Sequence, residues 1–179
     1  SNVGMLPSLL PTHFLSAPDE IQGLIHCNIT SVLKMTQLVL KYMESRRKGV
    51  ILNISGVALF PWPLYLLYSV SKAFVCTFSK ALRAEYKEKG IIIQVLTPYE
   101  VSTSITKHLN INAITKTADE FVKESLNYIT SGDATCGCLA HELFASFLGL
   151  IQACIFYSGW SQRLLLTRYM EYLKQNAQA

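Results

Sequence analysis

Apolar residues recur along the chain with two alternating spacings, one typical of helices and one of buried strands. Residues 19–43 carry apolar side chains at every third or fourth position and predict a helix that ends before a glycine. The short apolar runs at 50–55 and 91–96 predict strands, and the segment between them predicts a second long helix that ends at Gly90. Near-continuous apolar strands separated by helices are typical of a parallel sheet covered on both faces. The sequence therefore predicts an α/β fold.

The second half of the chain follows a different pattern. Thr117 and Glu120 form a capping-box motif, which predicts a helix from about 118 to 129. Residues 143–157 are almost entirely apolar but fall short of the ~20 residues that span a bilayer as a helix, so they predict a buried or interfacial segment. The last segment, 161–179, is amphipathic and suits either a membrane surface or partner, or a core-facing terminal helix.

Composition narrows the class of protein. A chain of 179 residues with 50% hydrophobic residues is long enough for one globular domain with a sizeable core. The net charge is +4 and the basic residues form no long run, so we expect no nucleic-acid partner. Five cysteines favour buried thiols in a reducing compartment over a disulfide framework. Cys136 and Cys138 have no second Cys/His pair nearby, so we expect no metal site.

The stretch YSVSK places Tyr68 and Lys72 four residues apart near the start of the second long helix. Residues at i and i+4 share a helical face, so the phenol and the ammonium can approach the same small volume. A phenol titrates near ~10 in water, and a neighbouring cation favours the phenolate and lowers that pKa. The pair is therefore a candidate acid for proton donation, although the same spacing also occurs in an interfacial tyrosine beside a solvated lysine.

Two further polar residues give this pair a specific context. Ser55 ends a predicted strand, so its hydroxyl is expected at the carboxyl edge of the sheet, where open α/β sheets bind ligands. Asn28 lies in the middle of the first predicted helix, where asparagine is an indifferent choice. A strand-terminal Ser, a helix-initial Tyr-x-x-x-Lys and an upstream mid-helix Asn together resemble the short-chain dehydrogenase/reductase family. The resemblance covers nearly the whole chain and implies a doubly wound, Rossmann-like parallel sheet.

The resemblance implies a role in ketone reduction for each of these residues. Tyr68 would protonate the ketone oxygen as hydride arrives from NADPH, and Ser55 would hydrogen-bond the same oxygen. Lys72 would lower the pKa of the phenol and bind the nicotinamide ribose. Asn28 would hold a water that links Lys72 to bulk solvent. The catalytic residues implied in this way are Asn28, Ser55, Tyr68 and Lys72.

Two segments resemble cofactor-binding elements of the family. SNVG at 1–4 resembles the element that supports the central sheet, and TPYEVST at 97–103 resembles the loop beside the nicotinamide. Ser1 and Tyr99 depart from the family pattern, which has Asn and Gly there, so the loop backbone at Tyr99 is where a difference from the family is expected. Besides Tyr68 and Lys72, the NADPH-binding residues implied by the resemblance are Asn2, Gly4, Pro98, Val101 and Thr103.

The resemblance also implies a substrate class. It is strongest to family members that act on steroids, so we expect NADPH-dependent reduction of a 17-ketosteroid of the androstenedione type. Reduction of a very-long-chain 3-oxoacyl-CoA is the first alternative, and a non-catalytic, membrane-associated interaction module is the second. The residues expected to contact the apolar ketone are Ser55, Phe60, Trp62 and Tyr65, although the aromatic ones fit core packing equally well.

The chain starts without a methionine and holds no G-x-x-x-G-x-G turn of the kind that binds a pyrophosphate. We therefore expect an N-terminally truncated domain that is inactive alone. Residues 1–138 would be the C-terminal half of a dehydrogenase domain, which closes with a glycine-containing turn at 132–138, and residues 139–179 would be a helical extension. The resemblance implies that the complete enzyme is held at the cytosolic face of the endoplasmic reticulum membrane. A homodimer is a further expectation.

Overall fold

The computed structural model describes residues 1–6, 13–16, 19–56, 62, 64–106, 110–129, 132–155, 159–160, 163–164, 166–168 and 171. For residues 151–155 it describes the helix but not the side chains. The expected substrate residue Phe60 lies outside the described residues. So do most of the apolar and basic positions of the amphipathic end: Leu165, Tyr169, Tyr172, Leu173 and Lys174.

Helices and strands alternate along the described part of the chain. In order they are α1 (Ile21–Ile25), α2 (Ser31–Arg46), β1 (Gly49–Ile54), α3 (Leu66–Tyr86), β2 (Ile91–Leu96), β3 (Val101–Ser102), β4 (Lys116–Thr117), α4 (Ala118–Leu126), β5 (Ala134–Thr135) and α5 (Leu139–Ile155). Short 3₁₀ turns lie at Phe14–Ser16, Lys87–Lys89 and Ser104–Thr106.

One long helix precedes the central sheet. It consists of α1, a single π-type turn at His26–Thr30, and α2. Its buried residues recur at every fourth position, so that one face stays turned to the interior: Leu24, Asn28, Val32, Thr36 and Leu40. The helix expected over 19–43 is confirmed with slightly different ends, whereas the π-type turn has no counterpart in the apolar pattern.

The central sheet is parallel. β1 and β2 pair in parallel along their whole length, and β5 pairs in parallel with the end of β2, which gives the order β1-β2-β5. The helix α3 connects β1 to β2, because two parallel neighbours need a crossover connection. The strands expected at 50–55 and 91–96 and the long helix between them are confirmed, and so is the α/β class.

The first residues of the chain lie along the other edge of β1. The Ser1 nitrogen donates to the Leu52 carbonyl, and the Ile54 N–H donates to the Ser1 carbonyl over 2.8 Å. Two such bonds, one on each side of Asn53, follow the pattern of a parallel ladder. The start of the chain therefore extends the sheet, in agreement with the supporting role that the sequence implies for SNVG.

The core lies where the two long helices meet β1 and β2. Its fully buried residues are Leu40, Ile51, Ile91 and Ile93, and Val39, Met43, Leu82 and Tyr86 pack around them. Burying a side chain of this size contributes about 1.5–3 kcal/mol relative to leaving it exposed. This packing fixes both strands, and with them the carboxyl edge of the sheet.

A second, smaller layer follows the sheet. β3 and β4 pair in parallel, and α4 begins at the expected capping box, in which the Thr117 side chain accepts from the Glu120 N–H over 3.2 Å. The helix ends at Leu126, three residues before the expected end, because the next N–H groups already bond three residues back. The expected turn at 132–138 contains β5, which is too short to show a period.

Over its described side chains, residues 139–150, the helix α5 is buried on one face only. His141, Ala145 and Leu148 lie inside, while an uncharged row on the opposite side is exposed: Leu139, Leu143, Phe147 and Leu150. Burial is therefore confirmed for one face of this stretch, and an interfacial position of the other face stays a prediction. No helix in the described ranges is long and apolar enough to cross a membrane. α5 begins at the residue where the extension was expected to begin, and the division of the chain there stays a prediction.

Candidate active site

The first turns of α3 carry the central pair of the site. The Lys72 ammonium lies over the Tyr68 ring, with Nζ 5.6 Å from the ring centroid, so the two side chains share one helical face as expected. Lys72 is only 7% exposed, yet Nζ has just one long hydrogen bond among the described residues, 3.4 Å to the Ile54 carbonyl. An ammonium has three donors, so most of its hydrogen-bonding capacity is uncommitted.

Ser55 follows directly after β1 and is buried. Its N–H donates to the Leu96 carbonyl over 2.8 Å, which continues the ladder with β2 by one bond. Its hydroxyl donates to the Lys72 carbonyl over 2.6 Å and so binds the end of the strand to the first turns of α3. Ser55 therefore lies at the carboxyl edge of the sheet, beside the helix of the pair, and its proton turns to another acceptor by rotation about the Cβ–Oγ bond.

Asn28 occupies the π-type turn and is almost completely buried. Its side-chain oxygen accepts from the Met5 N–H over 2.7 Å, and its amide donates to the Met5 carbonyl and to the Ser71 hydroxyl, each over 3.0 Å. Ser71 in turn donates to the Tyr68 carbonyl over 2.7 Å. One side chain thus joins the start of the chain, the first helix and α3.

This bonding narrows the role that the resemblance implies for Asn28. Both amide hydrogens are already committed, so only an acceptor of this residue is left to hold a water that leads to Lys72. Ser71 was not among the expected site residues. It belongs to the YSVSK motif itself, so its position one residue before Lys72 was the signal that sequence reasoning passed over.

The pKa values of the central pair follow from burial. Burial raises the pKa of the Tyr68 phenol and lowers the pKa of the Lys72 ammonium, with a smaller opposing electrostatic effect of Cys27 on Lys72. The sequence led to the opposite direction for Tyr68, because it placed a cation beside the hydroxyl and took no account of burial. In the structure the cation lies over the ring. A buried phenol of this kind keeps its proton at neutral pH.

Glycine leaves space beside the ammonium. A Cβ atom placed on Gly4 would lie 3.2 Å from Lys72 Nζ, and one on Gly56 would lie 3.8 Å from Lys72 Cγ. Asn2 is exposed two residues before Gly4. The start of the chain therefore passes close to the ammonium, which places two of the expected cofactor residues, Asn2 and Gly4, at the same edge as Lys72.

The segment 97–103 leaves the end of β2 at this edge. Thr97 is buried and bonds to the Thr135 carbonyl, while Pro98 and Val101 are half-buried. The Thr103 hydroxyl lies 3.3 Å from the Thr106 hydroxyl. Tyr99, the departure from the family pattern, has no positive φ angle, so its backbone needs no glycine here. A difference between this loop backbone and that of the family stays a prediction.

Comparison with known families decides the class of the chain. A family model described as short chain dehydrogenase matches residues 1–113, well over half of the sequence. The chain belongs to this family. A human protein named 17-beta-hydroxysteroid dehydrogenase type 3 is 75% identical over 177 residues, which cover 98% of this chain and 57% of that protein. The very-long-chain 3-oxoacyl-CoA reductase of Anas platyrhynchos is 44% identical over 155 residues, which cover 84% of this chain and 48% of the reductase.

A solved structure shares the fold. The short-chain dehydrogenase from Sphingobium yanoikuyae, solved in complex with NADPH, superimposes with a TM-score of 0.64 and 24% identity, over 83% of this chain and 61% of its own. The parallel sheet and its helices are therefore those of the Rossmann-like fold expected from the sequence. The chain spans a little over half the length of the curated relatives it matches, 57% for the human protein.

An aromatic wall, defined as Trp62, Tyr99, Phe144 and Leu148, includes one residue of the segment that leaves β2. The Tyr99 ring centroid lies 4.4 Å from that of Phe144 and 6.3 Å from that of Trp62, and Leu148 is buried among these rings. Two members come from α5 and were not expected. Their spacing of four residues inside an apolar stretch is the signal that places them on one helical face.

Tyr65, another expected substrate residue, lies at the start of α3. Its N–H donates to the Trp62 carbonyl over 3.3 Å, which connects it to the aromatic wall. Burial, together with the carboxylate of Glu100, raises the pKa of Tyr65 to about 12. Tyr65 therefore presents a neutral phenol, one turn before Tyr68 on the same helix.

Proposed function

We propose that the full-length protein is an NADPH-dependent reductase that converts a 17-ketosteroid of the androstenedione type into the corresponding 17-hydroxysteroid. The observation that carries the chemistry is that the protonated phenol of Tyr68 and the buried ammonium of Lys72 share one helical face at the carboxyl edge of the sheet. The described residues leave most hydrogen-bond donors of this ammonium without a partner. The substrate class is supported by the far greater identity to the human 17-beta-hydroxysteroid dehydrogenase than to the acyl-CoA reductase.

The residues at this edge fit a nicotinamide ribose. Lys72 offers donors that the described protein atoms leave uncommitted, and ribose hydroxyls are acceptors of the kind such donors need. Gly4 adds room, because a side chain there would crowd the ammonium. We assign Lys72 and Tyr68 to the ribose, Asn2 and Gly4 to the adjoining strand edge, and Pro98, Val101 and Thr103 to the nicotinamide. The NADPH complex of the Sphingobium relative supports this choice of cofactor.

Tyr68 acts as the proton donor of the reduction. NADPH held by these residues would supply a hydride to the carbonyl carbon, and negative charge would then develop on the ketone oxygen. Tyr68 donates its phenolic proton to that oxygen, which it can do because burial keeps the phenol protonated at neutral pH. Ser55 turns its hydroxyl from the Lys72 carbonyl to the same oxygen and stabilises the charge. The Lys72 ammonium stabilises the phenolate that remains.

The aromatic wall supports an apolar, rigid substrate. Trp62, Tyr99 and Phe144 are only partly buried around Leu148, so they leave apolar surface that an uncharged ring system can pack against, and ligand sites are mostly apolar with a few placed polar groups. We assign Trp62 and Tyr65 to the substrate as expected from the sequence and add Phe144 and Leu148 from α5.

Assays of the full-length protein test this assignment. We expect oxidation of NADPH in the presence of a 17-ketosteroid, with a higher kcat/KM than for a very-long-chain 3-oxoacyl-CoA. Mass spectrometry of the product should place the new hydroxyl at C17. A steroid with a 17-hydroxyl and a ketone only at C3 is the matched control, and we expect no turnover of it. Preference for the acyl-CoA, or reduction at C3, would contradict the proposed substrate.

We also propose that the chain divides at Leu139, where α5 begins. From there on the chain would form an extension that faces a lipid surface at the endoplasmic reticulum. The exposed row on α5 is wholly apolar, and Leu150 is 85% exposed. Glu142, the only charged residue of α5, has its carboxylate bound to the Thr135 hydroxyl and the Cys136 N–H. An uncharged exposed face of this length suits the interface of a bilayer better than water.

Quenching by brominated phospholipids tests this contact. In the full-length protein, reconstituted in vesicles, Leu150→Trp should add tryptophan fluorescence that brominated lipid quenches. Val122→Trp on α4, at a position that is 52% exposed, is the matched control and should add fluorescence that the lipid leaves unchanged. Equal quenching at the two positions would show that α5 has no special contact with lipid.

The expected homodimer would use a different face. Met35, Leu38 and Tyr42 lie on one side of α2 and are more than half exposed. We propose this apolar face for the contact between two copies. Sedimentation velocity of the full-length protein in detergent tests it, because Leu38→Lys should convert a dimer to a monomer, and an unchanged sedimentation coefficient would exclude this face.

A further inference from the structure

We propose that His141 is a positioning residue, which fixes the backbone of the segment 97–103 from α5 so that this segment meets the nicotinamide in a defined position. The inference rests on the proposed function, because it takes that segment to be a cofactor-binding loop. His141 does not touch the cofactor in this proposal. It acts through the Tyr99 backbone, and neither sequence reasoning nor the family comparisons single it out.

Both ring nitrogens of His141 are used. The Tyr99 N–H donates to Nδ1 over 3.3 Å, and Nε2 lies 2.9 Å from the Ile114 carbonyl. A carbonyl can only accept, so Nε2 carries the proton, and Nδ1, which accepts from an N–H, carries none. The ring is therefore neutral, in one tautomer, and its two bonds run in opposite directions to two separate loops. The side chain is completely buried.

The second loop is itself held in place, which makes it a firm support. The Asn112 side-chain oxygen accepts from the N–H groups of Ile114 and Thr115, each over 2.8 Å. The Thr115 hydroxyl donates to the Glu100 carboxylate over 3.1 Å. His141 thus completes a closed set of bonds in which the segment 97–103 is anchored through both Tyr99 and its neighbour Glu100.

The rings around His141 leave it little freedom. The Phe121 ring centroid lies 5.6 Å from the imidazole and the Tyr99 ring centroid lies 6.3 Å away, edge-on. Burying a polar ring among aromatic side chains is costly unless its nitrogens are bonded. An apolar side chain would fill the same volume without that cost, so the two directed hydrogen bonds are what histidine adds at this position.

The consequence for function falls on cofactor binding. The bond from the Tyr99 N–H to His141 connects α5 to the backbone of the segment 97–103. This segment includes Val101 and Thr103, which are assigned to the nicotinamide. Loss of the Nδ1 acceptor leaves this N–H unpaired and lets the segment move. NADPH affinity then falls, whereas the proton donor on α3 stays where it is, because Tyr68 is held by a separate set of bonds.

Two amide substitutions separate the two bonds of the ring. Asn at position 141 places its side-chain oxygen near the site of Nδ1 and keeps the acceptor for Tyr99, but it loses the bond to the Ile114 carbonyl. Gln reaches the site of Nε2 and keeps that donor, but it loses the acceptor. In the full-length protein we expect His141→Gln to weaken NADPH binding by roughly 5- to 100-fold, the effect of one buried donor left unpaired, and His141→Asn to weaken it far less.

Binding is measured by titration calorimetry with NADPH and stability by thermal unfolding, and kcat and KM for NADPH are measured alongside. Gly149→Ala, an exposed change on the same helix with no atom within 4 Å of the new Cβ, is the control and should leave NADPH affinity unchanged. Equal losses of affinity in the Asn and Gln variants, or no loss in either, overturn the positioning role. A wild-type protein that fails to bind NADPH refutes the proposed function, and the inference with it.

Discussion

Tyr68→Phe in the full-length protein is expected to lower kcat for ketone reduction by about 10²–10⁴-fold, the contribution usual for a positioned general acid. The change removes only the phenolic O–H. The ring keeps its place under Lys72 Nζ, 5.6 Å from the centroid, and the Tyr68 carbonyl keeps its bond from Ser71. The charged donors of Lys72 to the ribose remain, so we expect the dissociation constant of NADPH to rise only by the roughly 2- to 12-fold that one neutral hydrogen bond contributes. Steady-state kinetics and calorimetric titration of the same variant measure the two quantities.

The same helix offers a matched control. Tyr86 lies at the far end of α3, with Lys89 Nζ 4.4 Å from its ring centroid, so it also combines a phenol with a lysine ammonium. Tyr86→Phe makes the same chemical change away from the sheet edge and should leave kcat unchanged. Turnover within a few-fold of wild type in the Tyr68→Phe variant, or a comparable loss in Tyr86→Phe, would contradict the role of Tyr68 as the acid.

Lys72→Met is expected to lower NADPH affinity and to raise the stability of the folded protein. Removing the ammonium takes away the charged donors assigned to the ribose, and hydrogen bonds to charged groups contribute about 1.5–3 kcal/mol each, so NADPH affinity should fall by roughly 100-fold or more. Stability should rise, because the ammonium is buried with only one 3.4 Å bond to the residues that the structure describes, and methionine fills a similar volume without a charge. Replacing buried charges by apolar groups often stabilises by about 1–4 kcal/mol.

The stability gain depends on pH with a definite sign. Burial lowers the pKa of Lys72 in the folded protein below its value of about 10.4 in the unfolded chain. The unfolded chain binds more protons between these two values, so the stability of the wild type rises with pH there, and the full penalty of the buried charge is present below them. The difference between Lys72→Met and the wild type should therefore be largest at neutral pH and vanish above the unfolded value.

Chemical unfolding at several pH values, with NADPH titration beside it, measures both effects. Lys89→Met is the comparison, because Lys89 also covers a tyrosine ring but is exposed and paired with Glu44 over 2.6 Å. It should bind NADPH normally and gain no stability. A Lys72→Met protein that is less stable than the wild type at neutral pH would show that the ammonium stabilises the fold, and normal NADPH affinity would remove its assignment to the ribose.

The parts of the site that lie close together in the sequence were predictable. The spacing of Tyr68 and Lys72 on one helical turn, and the place of Ser55 at the end of an apolar strand, follow from local periods, and the structure has both. The strands β1 and β2 are visible for the same reason. Residues at four-residue spacing meet in any helix, so no knowledge of tertiary packing was needed.

Features that arise from packing were missed or had the wrong sign. The pKa of Tyr68 moves up instead of down because the phenol is buried, and burial is a property of the folded chain. The strands β3, β4 and β5 have two residues each and show no period. His141 on α5 bonds to Tyr99 and Ile114, which lie 42 and 27 residues before it in the sequence. A lone histidine in an apolar stretch therefore did not indicate its partners.

The π-type turn at His26–Thr30 has a consequence for how the length of this chain can vary. Buried residues at every fourth position would drift by about 40° per step around a regular helix of 3.6 residues per turn, and the wide turn absorbs part of that drift. A wide turn is where a helix holds an extra residue, so removing one residue here would convert it into a regular turn, whereas removing one from α2 would rotate everything before it by about 100° and turn Leu24 out of the interior. A surface loop accepts an insertion or deletion with little effect, whereas α2 can neither gain nor lose a residue without turning Asn28 away from Met5 and Ser71.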